Sequence, residues 1–86
     1  MSTETTVDEL REEWLAKVEV AEGLTSEARA YAVIIADRVV SGLQPRPDQV
    51  EEYRRADDRA KRAWTSANDL QAAFDQARAS AAQVLA

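Results

Sequence analysis

The charged side chains most able to recognise a partner are concentrated in residues 53–62. The basic members of this segment are Arg54, Arg55, Arg59, Lys61 and Arg62. If Tyr53 takes position a of a heptad, four of these five residues fall at positions b and c, on one face of a helix. Guanidinium and ammonium groups on a shared face could contact the phosphates of a nucleic acid or the carboxylates of an acidic protein. We call residues 54–62 the basic segment and predict it as the candidate partner or nucleic-acid face.

The basic segment also contains its own counter-charges. Asp57 precedes Lys61 by four residues, and Asp58 precedes Arg62 by four. Such pairs stabilise an exposed helix by a few tenths of a kcal/mol each. A solvated, self-paired face is therefore the interpretation that the spacing favours. Contact with nucleic acid, or with an acidic helix of a neighbouring chain, stays open as the alternative.

The residue types used by most enzymes are missing. The 86 residues include no Cys and no His, which excludes thiol nucleophiles, thiolate and imidazole metal ligands, and the usual general base near neutral pH. We therefore expect no enzymatic activity, no cofactor and no metal site.

Charge is distributed unevenly along the chain, which has a net charge of −5. Residues 1–28 contain eight acidic residues against Arg11 and Lys17, a net charge of −6. An acidic first third disfavours non-specific binding to nucleic acid. We also expect a cytoplasmic protein that does not enter a membrane, because residues 1–6 are polar and the longest apolar run, residues 30–36, is too short to span a bilayer. Nine Arg against two Lys, with abundant Ala, suggest a bacterial or phage genome.

The last forty residues contain a regular apolar pattern. With Tyr53 at position a, the a and d positions are Tyr53, Ala56, Ala60, Ala63, Ala67, Leu70, Phe74, Ala77, Ala81 and Val84, a set we call the heptad stripe. The pattern is unbroken after Pro47, which suits the first position of a helix. It predicts one long helix over residues 47–85, about 60 Å long.

Two shorter helices are predicted before it. The first covers residues 6–22, after a disordered tail over residues 1–5, with Thr6 and Glu9 spaced as in a capping box and Gly23 at its end. The second covers residues 26–43, capped by Thr25 or Ser26, and is apolar around most of its circumference. A break before the long helix is predicted within residues 42–47, which contain Gly42, Pro45 and Pro47.

These lengths predict an all-α domain of three helices, two short and one long. The chain would form a three-helix bundle, or a helical hairpin whose first arm is broken at Gly23. The bundle leaves the last part of the heptad stripe for a second chain and nearly requires an oligomer, and the hairpin also favours one. We therefore expect a homodimer or higher oligomer with a coiled-coil-like interface. The predicted interface residues are Tyr53, Ala60, Ala63, Trp64, Ala67, Leu70, Phe74, Ala77, Ala81 and Val84.

The function that follows is a non-enzymatic helical interaction or assembly module, acting as a homo-oligomer. The alternative is a small dimeric DNA-binding regulator that uses the basic segment. A helix-turn-helix version would place the start of the long helix in the major groove, but Asp48, Glu51 and Glu52 would then direct acidic groups at the duplex.

Overall fold

The chain folds as a hairpin of two long helices. A computed structural model describes the backbone of residues 3–85 and the side chains of residues 7–84. Helix α1 (Thr3–Val40) is followed by a six-residue connection and by helix α2 (Pro47–Leu85). The molecule measures 64 × 19 × 13 Å. Trp14 of α1 stacks on Phe74 of α2, and Thr25 contacts Trp64, so the two helices run antiparallel.

The prediction of three helices is wrong. The segments predicted as separate helices over residues 6–22 and 26–43 form one continuous helix of 38 residues. Gly23 lies in its interior, and the helix ends at Val40. The hairpin alternative had the right path for the chain, but its first arm is not broken.

Packing against α2 explains why α1 continues through Gly23. A glycine inside a helix costs about 1 kcal/mol relative to alanine but does not by itself end the helix. Ala21 and Ala28 lie on either side of Gly23, and both are buried against α2. Most helical stability in proteins comes from such tertiary packing, and a break between these two residues would lose it.

The start of α1 also differs from the prediction. The backbone is helical from Thr3, so Thr6 lies inside the helix instead of capping it. The capping-box contact falls on the Thr6 side chain, outside the described side chains. The predicted tail falls partly on Met1 and Ser2, which also lie outside the described residues.

The connection between the helices is a Schellman turn. Gly42 has a φ of 78°, a left-handed conformation that glycine adopts without steric cost. The Leu43 amide donates to the Arg38 carbonyl at 2.9 Å, and the Gly42 amide donates to the Val39 carbonyl at 3.0 Å. The Arg38 side chain donates from Nε to the Gln44 carbonyl at 2.9 Å. The two backbone bonds satisfy carbonyls at the end of α1, the Arg38 side chain satisfies one in the connection, and Pro47 then starts α2.

The core between the helices consists of small side chains. The buried apolar residues are Ala21, Ala28, Ala56, Ala60, Ala67 and Phe74. Alanine allows close approach of the two helices but removes little apolar area from water per contact. Among the described side chains, none larger than alanine is fully buried.

Candidate interaction surfaces

The heptad stripe of α2 lies against α1 of the same chain. Ala60, Ala67 and Phe74 are buried there, and Val84 is 82% exposed. The remaining predicted interface residues are half-buried: Tyr53, Ala63, Trp64, Leu70, Ala77 and Ala81. Because α1 does not turn back at Gly23, it covers more of the stripe than the first two helices of a three-helix bundle would. A contact between chains is not tested by a single chain, so the role of these residues in an oligomer stays a prediction.

A polar bridge crosses the hairpin near its middle. The Trp64 indole Nε1 donates to the Thr25 hydroxyl at 2.8 Å, and that hydroxyl donates to the Ala21 carbonyl at 2.8 Å. A part-buried indole N–H needs an acceptor, and Thr25 supplies one at a single axial position. The bridge therefore favours one register of α2 on α1.

Sequence reasoning missed this role of Thr25. The residue was predicted to cap a helix, but it lies in the interior of α1. The available signal was spacing: Thr25 continues the three- and four-residue spacing of Ala21 and Ala28, and so belongs to the face that meets α2.

Two aromatic side chains pack against each other between the helices, in the half of the hairpin farther from the connection. The rings of Trp14 and Phe74 stack with centroids 5.9 Å apart and an interplanar angle of 16°. The Arg78 guanidinium lies 5.4 Å from the centroid of Phe74, within cation–π range. Arg78 also forms an ion pair with Asp75 at 3.6 Å. These contacts supply bulk that the alanines of the core do not.

Most of the basic segment is engaged within the chain. Arg55 pairs with Glu51 and Glu52 on α2, at 3.3 and 3.7 Å. Arg59 crosses to Glu27 of α1 at 3.2 Å. Arg54 and Arg62 are exposed, and no ion pair is found for them among the described side chains. Phosphates would therefore meet two basic side chains without an ion pair among the described residues, with Asp58 between them along the helix, instead of the five basic side chains of the segment.

Lys61 belongs to the same self-paired face. Its ammonium lies 2.9 Å from a carboxylate oxygen of Asp57. The hydrogen bond to Asp57, and then the charge of that carboxylate, raise the pKa of Lys61. A raised pKa favours the folded state at pH values below the ordinary lysine value of 10.5, and the contribution, small for an exposed pair, is lost as the pH rises through the folded-state pKa. The pair is therefore intact at neutral pH.

An apolar surface is exposed where α1 approaches the connection. Its members are Val33, Ile34, Val39, Val40 and Leu43, each at least 44% exposed, and we call them the loop-end patch. Three other large apolar side chains are exposed within the described part of the chain: Leu15, Val20 and Val84. Helix α2 covers one face of α1 only, and so leaves the other apolar sides of residues 30–40 in water.

The two helices also leave open grooves along the line where they meet. Two open grooves of about 250 Å³ were found, one lined by Val7, Asp8, Arg78 and Ala81. The other lies beside Tyr53 and Asp57 and includes Arg29. Within residues 7–84, no three Asp or Glu side chains are close enough together to hold a metal ion. Neither helix, over the residues described, has an apolar stretch sufficient to cross a membrane.

No protein-family model matches the chain, and comparisons with curated proteins and with solved structures gave no significant match.

Proposed function

We propose that this chain is a non-enzymatic helical interaction or assembly module that acts in the cytoplasm as a homo-oligomer, encoded by a bacterium or a phage. The observation that carries the proposal is the solvent-exposed area of the single hairpin, which is larger than that of a compact protein of the same mass. The hairpin exposes 6395 Å². A compact monomer of 9.5 kDa exposes about 5,000 Å².

The excess, about 1,400 Å², is larger than the roughly 800 Å² that each partner contributes to a standard protein interface. The radius of gyration supports the same proposal: it is 19.1 Å, whereas a compact domain of this length has about 12 Å. A second copy packed alongside would cover surface that the single hairpin leaves in water.

The thin core supports oligomerisation for a second reason. Two helices that meet mainly through alanine bury little apolar area between them. Small domains with insufficient cores commonly gain the missing stability from disulfides, metals or self-association. This chain has no Cys and no His, so disulfides and the commonest metal ligands are not available to it, which favours self-association.

Sedimentation velocity over a dilution series tests the proposal. We expect a dimer or higher oligomer at micromolar concentration, dissociating on dilution. A species with the mass of one chain at every concentration up to about 100 μM, where even a weak complex of about 10 μM Kd would be mostly formed, would contradict the proposal.

The alternative function is DNA binding by a dimer through the basic segment. The ion pairs of Arg55, Arg59 and Lys61 weaken it, because phosphates would have to displace carboxylates of the same chain. A gel-shift assay at about 50 and 200 mM salt discriminates, since phosphate contacts weaken steeply with salt. A shift at the lower salt that disappears at the higher would favour the DNA-binding alternative.

A further inference from the structure

We infer that a second copy of the chain docks on the loop-end patch, so that two hairpins pair antiparallel through the C-terminal parts of their α1 helices. The inference rests on the proposed function and adds to it the surface and the direction of pairing.

The first support is the location of the exposed apolar side chains. Five of the eight large ones in the described part of the chain fall within residues 33–43. Val33 and Val40 are seven residues apart and therefore lie on the same side of α1, where they are 53% and 87% exposed. Single exposed apolar residues are ordinary on protein surfaces, whereas a concentration of them in one short segment is typical of an interaction site.

The second copy as occupant follows from the proposed function and from the excess surface of the single hairpin, and charge sets the direction of pairing. Residues 30–43 contain one acid, Asp37, and one base, Arg38, so the segment is neutral. Residues 1–28 have a net charge of −6. Parallel pairing of two α1 helices would align the two acidic segments and place like charges together. Antiparallel pairing over residues 30–43 keeps the acidic segments apart.

In a symmetric dimer the loop-end patch can form both sides of the interface. In a two-fold dimer one surface meets its own copy, and each residue contact occurs twice. Antiparallel crossing near Ala36 brings Val33 of one chain beside Val40 of the other. The segment is about 20 Å long, and so covers part of the excess surface without involving the buried residues of the heptad stripe.

Replacement of exposed apolar residues tests the surface. The triple variant Val33→Gln, Ile34→Gln, Val40→Gln changes side chains that the hairpin core does not use, and glutamine is a good helix former. We expect its dimer dissociation constant to rise more than about 100-fold, because each lost apolar contact counts twice in the dimer. Circular dichroism should show an unchanged helix content.

The matched control is the double variant Leu15→Gln, Val20→Gln. These side chains are 46% and 54% exposed on the same helix, but they lie in its acidic part. The control should dimerise like the original chain. If the triple variant also dimerises like the original chain, the loop-end patch is not the interface and the inference is overturned, whereas the proposed function survives. If the original chain is a monomer, the proposed function itself is contradicted and the inference with it.

Cysteine crosslinking tests the direction, and the absence of native Cys makes every engineered thiol unique. Two variants, Val33→Cys and Val40→Cys, are mixed, with a mass tag on one of them, and then oxidised. Antiparallel pairing predicts the mixed 33–40 product as the main covalent dimer. A preponderance of 33–33 and 40–40 products would show parallel pairing and overturn the inference. A third variant, Val84→Cys, probes the other end of α2: efficient crosslinking there, with none at residues 33 and 40, would also overturn the inference.

Discussion

Thr25 shows how much one side chain contributes to a hairpin with a thin core. Its hydroxyl accepts from Trp64 and donates to the Ala21 carbonyl, so it joins the helices while remaining inside α1. Threonine in a helix commonly bonds a carbonyl one turn earlier. What distinguishes Thr25 is the indole on the opposite helix, which depends on this hydroxyl for its acceptor.

We predict that Thr25→Val lowers the free energy of unfolding by about 1–2 kcal/mol, because the shape is kept while the Trp64 N–H loses its acceptor. Chemical denaturation followed by Trp fluorescence measures the change. Thr65→Val is the matched control: that hydroxyl also donates one turn back, to the Lys61 carbonyl at 3.1 Å, but it is exposed. The control should change stability by less than about 0.5 kcal/mol. Equal losses in the two variants would mean that the indole bond contributes nothing.

The two glycines show how the same residue type acts differently within an element and at its end. Gly23 is in the helical interior with open space around the position of a Cβ. Gly42 also has open space, but its φ is 78°. The backbone conformation, and not crowding, therefore decides what each position tolerates.

At the scale of the helices, we predict opposite signs for the two alanine variants. Gly23→Ala should stabilise the chain by about 0.5–1 kcal/mol, because alanine loses less backbone entropy in a helix. Gly42→Ala should destabilise it by about 1–2 kcal/mol, because a Cβ is strained at positive φ. Thermal unfolding of both variants at one protein concentration measures the difference. A destabilising Gly23→Ala would indicate that something outside the single chain closely approaches that position.

For the whole molecule, shape and stability are linked. An elongated hairpin with a core made chiefly of alanine exposes more surface than a compact domain of its mass, and association is the remaining source of burial. Ligands that bind only the folded state raise its apparent stability, and in a homo-oligomer the ligand is the protein itself.

We therefore predict that the melting temperature depends on protein concentration. For a dimer that unfolds and dissociates together, with an unfolding enthalpy of about 0.7 kcal/mol per residue, a tenfold increase in concentration should raise Tm by roughly 4 °C. Circular dichroism in cells of different path length covers the range. A Tm that stays constant between about 1 and 100 μM would show that the hairpin is stable alone, and would argue against association at those concentrations.

The heptad spacing, the two prolines and the composition by themselves indicate an all-helical chain with a long C-terminal helix after a break within residues 42–47. These features are local: Pro47 starts α2, Gly42 adopts the left-handed turn, and spacings of three and four residues define an apolar face wherever the partner lies. The residue types also determine which catalytic chemistry is unavailable.

Only the tertiary structure decided that the helix continues through Gly23 and that the heptad stripe packs against α1 of the same chain. A glycine lowers the local preference for helix by about 1 kcal/mol, and only contacts from distant residues can reverse that preference. Ala21, Thr25 and Ala28 make those contacts with α2, and the continuous α1 is long enough to cover most of the stripe in the same chain, with Val84 left exposed. No local pattern contains that information, because the stabilising side chains come from the other half of the sequence.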